Sequence, residues 1–170
     1  MSAFSHAEAP QSSFTGFILI VIGSAVAAVV LILAVPYYAG SSARIASLYS
    51  NLADPADRLL AADLQAYTVN RLQNLATAKQ DLSNEVKTDT AFDNQLGQIT
   101  FPPAADPHAD TLTALDAKRI KLIKLQLQAT SLRKLQAFDS RVEAASAAVD
   151  AQVRIMRQDL GLPPVSAGLY

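Results

Sequence analysis

From Phe14 to Tyr38 the chain reads FTGFILIVIGSAVAAVVLILAVPYY, and no charged side chain occurs between Ala9 and Ala43. A helix that is apolar on every face needs a solvent other than water. Twenty-five helical residues span roughly 37 Å, enough to cross a hydrocarbon core of about 30 Å with some tilt. The pattern predicts a transmembrane helix over 14–38, preceded by an N-terminal tail, 1–13. Phe14 and Phe17 stand at one edge and Tyr37 and Tyr38 at the other, where aromatic rings favour the headgroup level. A cleaved signal peptide fits less well, because MSAFSHAEAPQSS has no Lys or Arg and the apolar run exceeds the usual 7 to 15 or so residues. Within the span Gly23, Ser24, Ala27 and Ala28 form a small-residue face on which another helix could pack.

Beyond the span the apolar positions recur at helical spacing. Between Pro55 and Pro102 the only Gly or Pro is Gly97, and between Pro107 and Gly161 there is none. Two long helices are therefore expected, near 55–96 and 107–160. Asp54-Pro55 and Asp106-Pro107 read as an acidic N-cap followed by Pro at the first helical position. Gly97 and Gly161 read as C-terminal caps. Residues 39–54 form a partly helical juxtamembrane linker carrying Ile45, Leu48, Tyr49 and Leu52, and 161–170 form a tail. A connection near 97–106 folds the long helices into an antiparallel hairpin. The expected class is all-α: one N-terminal transmembrane helix, then a long coiled-coil-like hairpin. In that hairpin the C-terminal end returns to the start of the first helix, near residues 48–52.

Two seams run along the hairpin, one through Leu72, Leu75, Leu82 and Val86, the other through Leu135, Phe138, Val142, Ala145, Val149 and Met156. In the middle of the second helix Ile120, Leu122, Ile123, Leu125 and Leu127 spread over most of the circumference. That is more apolar surface than one partner helix covers, which predicts a partner interface there. Charges suggest the register. Glu85, Asp89 and Asp93 recur every four residues, Lys118, Lys121 and Lys124 every three. A hairpin centred near residue 105 places Asp93 opposite Lys118, Asp89 opposite Lys121 and Glu85 opposite Lys124 as ion pairs.

Composition narrows the chemistry. With 14 basic against 15 acidic residues, the chain lacks the basic excess of a nucleic-acid binder. Zero cysteines remove disulfides, thiolate metal sites and thiol nucleophiles. The two histidines, His6 and His108, supply no Glu-x-x-His pattern for a carboxylate metal centre. No catalytic residue, metal site or cofactor is predicted, and no small-molecule substrate is expected. Only a buried pair of perturbed carboxylates would reopen the catalytic reading.

The expectation is a non-catalytic, single-pass, membrane-anchored accessory subunit that meets lipid and other membrane subunits, or further copies of itself, through its hairpin. The alternative is a membrane-anchored sensor or ligand-binding helical module, with Arg71, Arg133 and Arg141 as candidates for an anionic ligand. Arg44 and Arg58 come after the span and no basic residue precedes it. That count favours a cytoplasmic C-terminal domain, whereas proteins with a single N-terminal anchor commonly export the domain behind it. The side is left open, with a lean toward export.

Overall fold

A computed structural model describes residues 42–164, and among them every regular element is helical. The helices are α1 Ser42–Asn70, α2 Leu75–Leu96, α3 Asp106–Gln126, the five-residue α4 Leu132–Gln136, and α5 Asp139–Asp159. No helix among the described residues is long and apolar enough to cross a membrane. The expected span 14–38, its small-residue face Gly23, Ser24, Ala27 and Ala28, and residues 165–170 of the tail lie outside the described residues.

Each of the two expected long helices is divided, and neither division contains Gly or Pro. At residues 71–74 the backbone amide of Asn74 still reaches the Asn70 carbonyl, 2.9 Å away, and the chain then turns extended. Asn74 caps α2: its side-chain oxygen accepts from the amides of Ala76 at 2.9 Å and Thr77 at 3.2 Å. The second division comes after Gln126, where Ser131 adopts an extended conformation and its hydroxyl accepts from the Lys134 amide. Short polar side chains thus satisfy the orphan amides of a new helix.

The proline and glycine signals are also partly redistributed. Pro55 lies inside α1 rather than at its start. A proline there forgoes one backbone hydrogen bond, and the burial of Ala46, Tyr49 and Ala53 on the preceding turns outweighs that loss and keeps residues 42–54 helical. Asp54 is not a cap. Its carboxylate accepts from the Ser50 hydroxyl at 2.8 Å and from Arg157 at 2.9 Å. Asp106 is the first residue of α3, whose cap position is Ala105. Gly97 closes α2 in a right-handed conformation, while Gly161, at φ 67°, has the left-handed geometry expected after a helix end.

The chain accordingly reverses at 71–74, at 97–105 and between α3 and α5. α1 packs on α2, α2 on α3, and α3 on α5, the order of an up-and-down four-helix bundle. Two apolar clusters close its ends. One gathers Tyr49, Leu96, Leu112, Met156 and Leu160, with Phe101 edge-on to Tyr49 at 6.4 Å. The other gathers Tyr67, Ala78, Leu82, Ile123 and Leu135. Leu162 packs on the first cluster with Ile45 and Leu52, so the C-terminal end does return to the start of α1. It does so because four short helices share that end.

Candidate functional site

Between the two apolar ends the interior is polar. Arg119 enters from the inner face of α3, where its guanidinium meets three carboxylates. Nη1 donates to Glu85 at 2.9 Å, Nε donates to Asp116 at 3.0 Å, and Nη2 pairs with Asp89. All four residues are buried. A desolvated pair of this kind is costly to assemble and more costly to break, because removing one partner leaves a buried charge without compensation.

One guanidinium cannot neutralise three carboxylates, and their protonation records the imbalance. Burial outweighs the pull of Arg119 on Asp89 and, with Asp116, Glu85 and Asp93 nearby, pushes its carboxyl up to about 8. Burial and the charge of Asp116 raise Asp93 to about 7. Glu85 is raised by burial against the attraction of Arg119. Across the interior, burial also raises Asp63 and Asp150. Burial would lower Arg119, but Asp89, Asp116 and Glu85 together raise it, so it stays charged.

Beside this network lies a cavity of about 470 Å³. Residues of α1, α2, α3 and α5 line it, and α1 and α5 are joined at both of its ends. At the first, Arg157 donates to Asp54 at 2.9 Å and to the Pro163 carbonyl at 2.8 Å. At the second, Asp139 accepts from the Tyr67 hydroxyl at 2.6 Å, from Gln126 at 2.8 Å, and pairs with Arg71. Between the two ties, small residues on the walls, Ala53, Ala56, Ser146 and Ala147, leave the space unfilled. Four polar atoms of cavity-lining residues have no hydrogen-bond partner: the Tyr49 hydroxyl, Arg71 Nε, Asp89 Oδ2 and Gln126 Oε1. Tyr49, Asp89 and Gln126 are no more than 1% exposed. An unpaired buried polar atom is costly unless something else supplies its partner.

The predicted ion pairs are rearranged. Glu85 and Asp89 do face α3, but their cation is Arg119. Lys118, Lys121 and Lys124 are exposed and form no ion pair among the described residues. Asp93, Lys121 and Lys124 instead line an open groove between α2 and α3. The expected partner interface is largely used inside the chain. Ile123 is fully buried in the second apolar cluster, Leu127 packs beside it, and Ile120 is 8% exposed. Leu122 is half-buried, which leaves Leu125, 47% exposed, as the main open member. α4 explains the change, since the break at 127–131 turns Leu135 back onto Ile123. Of the arginines considered for an anion, Arg71 is held by Asp139, Arg133 is exposed, and Arg141 is exposed with its guanidinium over the Phe138 ring. His108 is half-buried; Gln152 donates to its carbonyl at 3.0 Å and Asp159 lies 3.6 Å from its Nε2.

Sequence pattern alone did not single out Arg119, Asp116, Asp89 Oδ2 or Gln126 as one site. The available signal was the polar residue at each inner helical position: Arg119 and Gln126 are seven apart and share a face with Asp116 and Ile123. Among the described residues no group of three or more His, Asp or Glu is placed to hold a metal ion. Comparison with protein-family models, with curated proteins and with solved structures finds no match to this chain.

Proposed function

We propose that this chain is a non-catalytic helical-bundle module that binds a small ligand in its interior and is held at a membrane by the apolar span 14–38. The observation that carries the reading is the cavity lined by α1, α2, α3 and α5, with α1 and α5 joined at both of its ends and with unpartnered polar atoms on lining residues. Its volume lies in the range of roughly 300–1,000 Å³ typical of ligand sites. Bundle cores are a recurring place for such sites.

The accessory-subunit reading rested on surplus apolar surface, and the bundle's own packing weakens that support. The large exposed apolar residues of α1, Leu59, Leu64 and Val69, stand five apart, a rotation of about 140° at each step. They make no continuous docking stripe. The buried carboxylates Glu85 and Asp89 are the kind of perturbed pair that attends acid–base chemistry. Both are tied to one guanidinium, which favours a binding role.

The test is thermal unfolding of the full-length protein in mild non-ionic detergent against a chemically diverse set of small molecules. A ligand at about a hundred times its Kd is expected to raise the midpoint by roughly 5–10 °C. If no compound moves the midpoint and the protein instead leaves its native membrane in stoichiometric association with a large complex, the accessory-subunit reading replaces this one.

A further inference from the structure

We propose that the cavity's ligand is an organic cation of the alkylammonium class, a linear diamine or polyamine. The inference rests on the ligand-binding reading above and goes beyond it by fixing the ligand's charge and hydrogen-bonding character.

Charge is the first argument. Asp57 on α1, Glu85 and Asp89 on α2, Asp116 on α3 and Asp150 on α5 line one cavity with Arg119. Toward the Asp139 end, Glu143 and Asp139 add two carboxylates against one further guanidinium, Arg71. Both guanidiniums already meet carboxylates. The wall as a whole is therefore acidic, and among the described residues lining it an anion would meet guanidiniums already paired to carboxylates, with only the Nε of Arg71 left without a partner.

The second argument is independent of charge count. Gln126 Oε1 is an amide oxygen that only accepts, Asp89 Oδ2 only accepts once its carboxyl ionises, above about pH 8, and neither has a donor. Tyr49 adds a hydroxyl without a partner. Arg71 Nε, at the Asp139 end, is a donor without an acceptor, so unpaired acceptors outnumber unpaired donors. A ligand that satisfies the two oxygens must bring N–H or O–H donors, and an ammonium brings three with its charge. A metal ion fits less well. Arg119 already stands among Glu85, Asp89 and Asp116, and no other metal-binding group is formed among the described residues. The remaining wall is aliphatic, with Leu60, Leu64, Val142 and Val149, a surface suited to the methylene chain between two ammonium groups.

The experiment is calorimetric titration of the full-length protein in non-ionic detergent with 1,4-diaminobutane and with spermidine at pH 8.5, where Asp89 is mostly ionised and the amines remain charged. Controls of matched length are 1,4-butanediol, which is uncharged, and succinate, which is anionic. The amines are expected to bind saturably and the controls not at all. Asp89→Asn keeps the side chain's shape and is expected to weaken amine binding about ten- to hundred-fold, the loss typical of one hydrogen bond to a charged group. Asp150→Asn tests the opposite wall if the first variant fails to unfold cooperatively, and is expected to weaken binding in the same direction. Asp110→Asn, at an exposed position of α3, is expected to bind as the parent does. Amine binding that survives both Asp89→Asn and Asp150→Asn is association with the acidic surface and overturns the proposal. If the amines fail while a compound of another class from the thermal screen binds, the cation falls and the ligand-binding module stands. If nothing of any class binds, both fall.

Discussion

Lys118 and Arg119 are neighbours in sequence with opposite fates. One step along a helix turns a side chain by about 100°, which carries Lys118 to solvent and Arg119 into the bundle. Arginine suits the inner position because its planar fork serves several carboxylates at once, while an ammonium is held more strongly by water. The carboxylates around it make stability depend on pH. Asp89, at about 8, and Asp93, at about 7, hold their protons more tightly folded than unfolded, as do Glu85, Asp63 and Asp150. The native chain therefore carries more protons than the unfolded chain between roughly pH 4 and 8, and stability falls as pH rises through that window. Asp54 acts in the opposite sense. Burial favours its neutral form, but hydrogen bonds from Arg157 and Ser50 prevail and hold it below the usual value, so its contribution is lost only at the acid end. Urea unfolding is expected to give greater stability at pH 5.5 than at pH 8.5, by several kcal/mol. Asp89→Asn should flatten that slope, and a slope of the other sign would mean that the buried carboxylates are ionised throughout.

At the scale of the element, two of the chain's reversals rest on one side chain each. The Asn74 cap is a direct case: replacing it by Ala removes the acceptor for two orphan amides and is expected to destabilise the protein by about 1 kcal/mol. The midpoint of thermal unfolding should fall by roughly 2–4 °C, with Asn74→Gly closer to the parent. An unchanged midpoint would show that packing of Leu75 and Ala78 alone fixes the start of α2. The same two caps mark where the sequence was legible and where it was not. The connection at 97–105 could be read because Gly97, Pro102 and Pro103 interrupt a clear helical pattern. The reversals at 71–74 and 127–131 carry no such residue, and Asn74 and Ser131 are common enough on helix surfaces that their capping role appears only once the chain has turned. Pro55 misleads in the other direction, because tertiary burial of Tyr49 and Ala53 overrides a local stop signal. The cavity was illegible for a related reason: its lining comes from α1, α2, α3 and α5, which come together only after three reversals.

For the whole molecule, the number of reversals decides which residues share an end. In a hairpin of two long helices, Ser47 and Gln98 would lie near opposite ends of one continuous helical path. Fifty-one residues at a rise of about 1.5 Å would separate them by roughly 75 Å. In the bundle, the neighbours of both positions, Ala46 and Tyr49 on one side and Leu96 and Ile99 on the other, belong to the same apolar cluster. Ser47 and Gln98 are both exposed, and the chain has no cysteine of its own. Ser47→Cys and Gln98→Cys can therefore carry spin labels without disturbing the core or labelling a third site. Pulsed dipolar spectroscopy on the full-length protein in detergent is expected to give a single distribution centred below about 30 Å, allowing for helices packed at about 8–10 Å and two label tethers. A distribution beyond roughly 60 Å would restore the long hairpin and remove the cavity with it, because α1 and α5 would then lack the reversals that bring them together. The ligand-binding proposal thus stands or falls with this distance, ahead of any titration.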